Sequence, residues 1–232
     1  HLRTRRQRQM CIRDRFPSPT EPPPKKWFMD DLQTLATRAA MITFTNSQTV
    51  EYQQRHLLSL REKSVVIPHV APAPTSLLTE PPKNHFFYVG SVGPNRPVDL
   101  LLRGFKQFLK IDHDAKLYFV GSSRKYLDPL IAHLQLTESV AVLPFTNNIT
   151  QVIENADALI SYDVPTKHAI FTPTKILEYL SLNRKVLAIT NPNSPVADLL
   201  RSTPKTTVLN TSYEVDDICL LYTSPSPRDK TV

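Results

Sequence analysis

One short segment holds side chains that are suited to binding an anion. In FTPTKILEYL, Thr174 and Lys175 open a predicted helix, and Glu178 follows Thr174 by one turn on the same face. The first N–H groups of a helix lack intrahelical partners, and the positive end of the helix dipole lies there. A lysine at this position is unfavourable without an anion, so the pattern favours a diphosphate site over a merely solvated lysine.

A second cation, Arg96, lies between a strand and a helix. It follows the strand-end glycine Gly90 and directly precedes an apolar helix, a placement that favours phosphate contact over a solvated loop residue. Gly121 ends another strand in the same way, although tight turns also need glycine. The chain has only four glycines and no GxGxxG motif, which makes a nicotinamide enzyme an unfavourable interpretation.

Short apolar strands alternate with helices through the second half of the chain. The strands are HFFYVGS, AKLYFVG, SVAVLPF, ALISY and KVLAIT, and the helices run through VDLLLRGFKQFLK, near 126–134, near 150–155 and through KILEYLSL. This alternation predicts an α/β fold with a doubly wound parallel sheet and helices on both faces. Such sheets bind ligands at the carboxyl ends of their strands, so we expect Gly90, Arg96, Lys175 and Glu178 to converge there.

A proline-rich linker separates this unit from a smaller one. Five prolines make 16–26 irregular, and four more mark the linker, which we place at 69–84. Between them the sequence predicts a helix over 27–39, strands at Met41–Thr45 and Ser64–Ile67, and a helix through EYQQRHLLSL that Asn46 or Ser47 caps. Residues 16–68 are therefore the remnant of a first domain, and residues 85–218 form the second, C-terminally truncated one.

The two ends of the chain differ from its interior. Residues 1–15 contain six arginines and one aspartate, and the only two cysteines are Cys11 and Cys219. The letters of residues 5–15 and 219–229 resemble the translated ends of a sequencing-library adapter, an origin that we prefer to a nucleic-acid-binding arm. We therefore interpret residues 1–15 and 219–232 as non-native, and expect them to be extended or loosely attached with unpaired cysteines.

Without these ends, composition excludes several classes of protein. The ends carry net +5 and +1 of the formal +7, which leaves +1 for residues 16–218 and no reason to expect nucleic acid as a partner. Because residues 16–218 contain no cysteine, disulfides, thiolate metal sites and cysteine nucleophiles are excluded there. The histidines form no i, i+4 metal pair, and no apolar run approaches the length of about 18 residues of a membrane span.

The stretch FFYVGSVGPNRPVDLLLRGF (Phe86–Phe105) resembles the opening of the donor domain in GT-B-fold glycosyltransferases of the family 4, or group 1, kind. In that pattern a strand, a glycine, an arginine and a short loop ending in lysine precede an apolar helix. Arg96 falls at the lysine position, whereas Ser91 replaces the arginine. The resemblance implies that Arg96 neutralises the diphosphate of a nucleotide sugar and that one of two usual charges is absent.

A second stretch, Ala169–Thr190, is similar to the family's Glu-x7-Glu segment. The resemblance implies that Glu178 holds the ribose hydroxyls, while Ile170 replaces the first glutamate and Asn183 the usual glycine. A third stretch, VLPFTNNITQVIENADALISYDVP, resembles the base-binding segment and implies that Phe145, Thr146 and Asn147 lie beside the base. For His69, His168 and Asp163 we prefer a packing role.

The resemblance covers roughly residues 38–212 and implies the donor-binding half of a sugar-nucleotide-dependent glycosyltransferase of cell-envelope polysaccharide biosynthesis. It implies retention of configuration and no metal or other cofactor. Arg96, Lys175 and the helix start would stabilise the leaving diphosphate, with Gly90, Ser91, Gly121, Phe145, Thr146, Thr174 and Glu178 in the donor site. The partners would be a nucleotide sugar and a glycan or lipid-linked acceptor, in the cytoplasm or at a membrane surface.

Two alternatives remain open at this point. A GT-B-fold sugar-nucleotide epimerase would share the donor cleft, and a non-catalytic α/β nucleotide- or protein-binding module would use Arg96 and Lys175 only as surface charges. Because most of the acceptor domain is missing, we expect the chain as given to be inactive. We also expect the remnant at 16–68 to expose apolar side chains and unpaired strand edges, to promote aggregation, and to reduce solubility relative to a chain without it.

Overall fold

A computed structural model describes residues 25–70, 73, 80–94, 96–166, 169–182, 184–203, 208–211 and 213–223. The larger unit contains a six-stranded sheet in which every neighbouring pair is parallel. Its strands are β3 His85–Val89, β4 Lys116–Val120, β5 Val140–Leu143, β6 Ala158–Tyr162, β7 Lys185–Ile189 and β8 Val208–Thr211. The spatial order is β5-β4-β3-β6-β7-β8, which confirms the predicted doubly wound sheet.

Helices cover both faces of this sheet. They are α3 Asp99–Phe108, α4 Arg124–His133, α5 Ile149–Ile153, α6 Thr174–Ser181, α7 Pro195–Arg201 and α8 Val215–Thr223. Apolar side chains of α3, α4 and α8 form one core with alternate strand residues such as Phe86 and Tyr88, and those of α5, α6 and α7 form the other with Phe87. Because strand side chains alternate between faces, the run Phe86–Phe87–Tyr88 supplies aromatic rings to both cores.

The smaller unit contains two short parallel strands and their helices. Its elements are α1 Lys26–Arg38, β1 Ile42–Phe44, α2 Ser47–Gln54, a 3-10 helix at Leu58–Leu60 and β2 Ser64–Val66. The predicted helix through EYQQRHLLSL is thus wrong in its second half, because α2 ends at Gln54. The predicted N-cap is confirmed for Asn46, whose side-chain oxygen accepts the Thr49 amide at 2.8 Å.

The small unit has a core of its own but leaves many apolar side chains in contact with solvent. Leu32, Leu57 and Leu60 are buried together, as are Ala36 and Phe44. Seven large apolar residues are exposed on it: Trp27, Leu35, Met41, Val65, Val66, Ile67 and Val70. This exposure confirms the structural part of the prediction for the remnant, whereas its effect on aggregation stays a prediction.

The expectation of a loosely attached C-terminal end is wrong for Cys219–Thr223. These residues belong to α8, in which Ile218, Leu221 and Tyr222 are spaced to form one buried apolar stripe. The Tyr222 ring lies 4.7 Å from that of Phe86. Apolar spacing decides this packing, whatever the origin of the letters, and Cys219 is free as predicted. Residues 1–15, with Cys11, and residues 224–232 lie outside the described part of the chain.

Hydrogen bonds connect the two units at the start of α2. The Asn46 side-chain amide and the Thr49 hydroxyl both donate to the carbonyl of Ile170, at 3.0 Å and 2.5 Å. Gln48 donates to a carboxylate oxygen of Asp198 at 2.7 Å. The side chains around the α2 N-terminus therefore hold the segment that leads into α6. Among the described helices, none is both long and apolar enough to cross a membrane.

Candidate functional site

The strand order creates a crevice between β3 and β6. The chain continues from β3 outward to β4 and from β6 outward in the opposite direction to β7. At such a switch point the loops that follow the two strands diverge, which leaves room for a ligand outside the carboxyl ends. The residues that border this opening are Gly90 and the loop after it, Asp163 after β6, and the start of α6.

Gly90 turns the chain sharply at the end of β3. Its φ is +131°, a conformation that residues with a side chain rarely adopt. Its amide donates to the Val120 carbonyl at 2.9 Å, and its own carbonyl accepts the Ser122 hydroxyl at 2.5 Å. A Cβ at this position would lie 3.7 Å from the Lys175 ammonium nitrogen. The glycine thus fixes the turn and leaves the passage of the lysine side chain open.

Lys175 crosses the carboxyl edge of the sheet. Its helix, α6, packs on the face opposite to the Tyr88 side chain. Nevertheless, its Nζ lies 3.9 Å from the centroid of the Tyr88 ring and 3.3 Å from the Val89 carbonyl oxygen, to which it donates. Burial lowers the pKa of Lys175, Arg96 lowers it further, and the charges of Tyr88 and Asp163 partly oppose the change.

Arg96 reaches the same tyrosine from the other side. A tight turn, in which the Arg96 amide donates to the Gly93 carbonyl at 2.8 Å, presents its side chain to the crevice. Its Nη1 donates to the Tyr88 hydroxyl at 3.4 Å. The structure therefore brings together the two cations that the sequence singled out, although they lie far apart in the chain.

Tyr88 is fully buried at the base of this arrangement. Its hydroxyl donates to the Ser91 carbonyl at 3.3 Å while it accepts from Arg96. Burial alone would raise the pKa of this hydroxyl, but Lys175 and Arg96 together outweigh burial and lower the pKa below its ordinary value. A buried phenol that is easier to ionise than a free one shows that the local potential is strongly positive.

The start of α6 is open to solvent. Thr174 and Glu178 are both exposed, on the same face as predicted, and no described side chain caps the helix, whose N-cap residue is Pro173. The Val89 amide donates to the buried Tyr179 hydroxyl at 3.1 Å, which fixes α6 against the end of β3. The first N–H groups of α6 are thus held beside Lys175, where an anion would meet them.

The predicted base-binding residues lie after β5. Phe145 is 78% exposed, and its ring approaches Gly121 so closely that a Cβ there would lie 3.5 Å from it. Gly121 has a φ of +74°, so both its conformation and its neighbour favour glycine. The Thr146 hydroxyl accepts the Asn148 amide at 3.0 Å, and Asn147 is exposed. An open aromatic ring at this edge is suited to stacking against a base.

Other predicted residues take structural positions. The Ile170 side chain is buried, and its carbonyl binds the smaller unit. A carboxylate oxygen of Asp163 accepts the Thr190 hydroxyl at 2.7 Å, while Ser91 and His69 are exposed. His168 and Asn183 lie outside the described residues. Within the described part of the chain, no group of three or more histidine, cysteine or acidic residues is placed to hold a metal ion.

Residues 83–217 match the sequence profile of the glycosyl transferases of group 1, over more than half of the chain. The chain belongs to this family. A comparison with curated proteins gives no match.

Solved structures with the same fold include three glycosyltransferases of this kind. TarM from S. aureus, bound to fondaparinux, α-GlcNAc-glycerol and UDP, is 15% identical with a TM-score of 0.69 and a match over 86% of this chain and 40% of TarM. HepE from Anabaena, bound to UDP, is 15% identical at 0.65, over 84% and 57%. The pneumococcal O-GlcNAc transferase GtfA, bound to UDP and GlcNAc, is 13% identical at 0.66, over 88% and 42%. The chain thus spans about half the length of these relatives.

The resemblance to group 1 glycosyl transferases located the cations but missed Tyr88. Its letter lies in a run of three aromatic residues that fits a buried strand equally well. The available signal was its position two residues before Gly90, because a side chain at the end of a parallel strand lies near the ligand edge. The contribution of Tyr179, which binds the Val89 amide, was likewise hidden in the apolar stripe of α6.

Proposed function

We propose that this chain is the donor-binding half of a glycosyltransferase that takes a sugar from a nucleoside-diphosphate sugar and transfers it to a glycan or lipid-linked acceptor. The observation that carries the proposal is the pair of cations, Arg96 and Lys175, gathered on Tyr88 at the switch point between β3 and β6. Membership of the group 1 family supports transfer over an epimerase or a non-catalytic module.

The chemistry explains why cations are needed at this place. The bond between the anomeric carbon and the diphosphate oxygen breaks, positive charge develops on the sugar, and negative charge develops on the leaving diphosphate. Fixed positive groups at the leaving group stabilise this transition state more than the ground state, which is the condition for catalysis. Arg96, Lys175 and the free N–H groups at Thr174 supply that charge without a metal, so the site needs no cofactor.

The nucleoside would extend from the diphosphate along the sheet edge. Glu178 lies one turn along α6 from Thr174 and is exposed, so its carboxylate is suited to accept the ribose hydroxyls. The open Phe145 ring and Thr146 would face the base. Because TarM, HepE and GtfA were each solved with UDP, uridine diphosphate is the first nucleotide to test.

Several features of the whole protein follow from this proposal. The reaction retains configuration, takes place in the cytoplasm, and serves cell-envelope polysaccharide synthesis, in line with WaaG, a similar structure of a lipopolysaccharide glycosyltransferase that is 13% identical with a TM-score of 0.60, over 78% of this chain. The acceptor is bound by a partner domain at a membrane surface. The chain as given, which spans about half of such proteins, binds the donor but does not transfer the sugar.

Calorimetric or NMR titration of the chain with UDP tests the proposal. We expect weak binding, and substitution of Arg96 or Lys175 by alanine should each reduce it by about 1–3 kcal/mol because a charge-assisted contact is lost. Glu178→Ala should reduce the preference for UDP over its deoxyribose analogue. Lys110→Ala, at the C-terminal end of α3 and remote from the carboxyl edge, is the matched control. No binding at millimolar UDP, or equal binding by all variants, would contradict the proposal.

A further inference from the structure

The Tyr88 side chain makes a separate contact with each cation. Its ring face lies under the Lys175 ammonium, with 3.9 Å between nitrogen and centroid, and its hydroxyl accepts from Arg96 at 3.4 Å. The hydroxyl also donates to the Ser91 carbonyl at 3.3 Å, which ties it to the loop that carries Arg96. One residue thus contacts both the start of α6 and the loop after β3.

We propose that Tyr88 is a positioning residue that holds Arg96 and Lys175 together as a diphosphate-binding pair, an inference that rests on the proposed function. Two cations that share one site repel each other, and Arg96 indeed contributes to the lowered pKa of Lys175. The negative face of an aromatic ring and a hydroxyl oxygen offset this repulsion when no anion is present. The pair is therefore assembled before the ligand arrives, which reduces the cost of ordering it on binding.

The position of Tyr88 in the sheet makes it suitable for this task. It lies in β3 between two strand neighbours, paired in register with Phe119 on one side and Ile160 on the other. Its side chain is fully buried, so its ring has little freedom to move away from the two cations. Residues on a packed strand hold geometry more accurately than residues on a loop. Both cations, by contrast, extend from a loop and a helix start.

The state of the Tyr88 hydroxyl gives a direct readout of this arrangement. The charged or titratable groups that face it are Arg96 and Lys175, with Asp163 acting on Lys175, and the neighbouring tyrosines Tyr162 and Tyr179. The two cations lower the pKa of Tyr88 against the effect of burial. Removing either cation should therefore raise the pKa, and so should a bound diphosphate, because both changes make the surroundings more negative.

The first measurement follows tyrosine ring carbons by NMR against pH in the full chain labelled with ¹³C-tyrosine. The Tyr88 signal is assigned by its loss in Tyr88→Phe. We expect it to titrate at lower pH than that of Tyr118, whose pKa burial raises, and to move to higher pH in Lys175→Ala, in Arg96→Ala and on saturation with UDP. A purely structural phenol would not respond to these changes, so a Tyr88 signal that is unmoved by both substitutions would overturn the proposal.

The second measurement compares UDP affinity between two tyrosine variants. Tyr88→Phe keeps the ring and its contact with Lys175 but removes the hydroxyl from Arg96, so affinity should fall about three- to tenfold, the loss expected for one hydrogen bond. Tyr118→Phe removes a hydroxyl from the opposite face of the adjacent strand and should leave affinity unchanged. Equal affinity of Tyr88→Phe and wild type would overturn this inference alone. Absence of UDP binding by the wild-type chain would overturn the proposed function and the inference with it.

Discussion

Replacing Gly104 with alanine should destabilise the larger unit, because this glycine lies where α3 meets α8. A Cβ at Gly104 would lie 2.7 Å from the Cβ of Ile218, still closer to its Cγ2, and 3.3 Å from the Val215 carbonyl oxygen. A branched side chain so near its own backbone cannot move aside without displacing α8. Ile218 is fully buried, so there is no solvent space into which the helix can shift cheaply.

Two opposing effects set the magnitude for Gly104→Ala. Alanine in a helix interior gains about 1 kcal/mol over glycine, because it restricts the unfolded chain. Forcing an extra methyl group into a packed interface costs about 1–3 kcal/mol, and at this distance the cost lies at the upper end of that range. The net result should be a loss of about 1–2 kcal/mol, or a fall in Tm of about 2–8 °C for a domain of this size.

The assay for Gly104→Ala is urea unfolding followed by circular dichroism. Gly93→Ala is the matched control, because no atom lies within 4 Å of a Cβ there and its stability should change by less than about 0.5 kcal/mol. The sign of the result decides the question. An increase in stability on Gly104→Ala would mean that only the helix propensity acts, and that α8 does not pack against α3 as described.

Two further predictions concern the link between the units and the charge of the site. Asn46→Ala removes both the α2 cap and the bond to the Ile170 carbonyl, so thermal unfolding should show a loss of about 1–2 kcal/mol, whereas Asn46→Asp, which keeps the cap but not the amide donor, should lose less. Because burial lowers the pKa of Lys175, raising the pH should neutralise its ammonium and weaken UDP binding before an ordinary lysine would titrate. Lys175→Arg, which stays charged, should flatten that pH dependence in calorimetric titrations, and an unchanged profile would count against the buried ammonium.

The sequence was sufficient for the elements whose side chains repeat clearly. The strands from β3 to β7 were predicted because each is a short apolar run bounded by polar residues, and parallel strands buried on both faces have that composition. The strand β8, Val208–Thr211, was missed because it contains only two apolar residues among polar ones. As an edge strand it has one neighbour and needs less apolar surface, so its pattern is weak.

The candidate site was only partly predictable, for a geometric reason. Arg96 and Lys175 were found because each precedes a helix at the end of a strand, a local pattern in the sequence. That both contact Tyr88 depends on the order of β3 and β6 in the sheet and on the path of a lysine side chain across its edge. Neither is encoded in a local window. The helix α8 was missed because its last residues had been set aside as non-native.

The contact between α3 and α8 also has a consequence for biosynthesis. The Tyr222 ring fills the space between Phe86, Phe105 and Phe108, so residues made early and late form one aromatic cluster. During vectorial synthesis the early three aromatic side chains leave the ribosome long before their partner exists. Contacts of such large sequence separation slow folding, since the long intervening loop must be closed first. A chaperone that shields exposed aromatic surface would therefore act on the nascent chain until α8 has emerged.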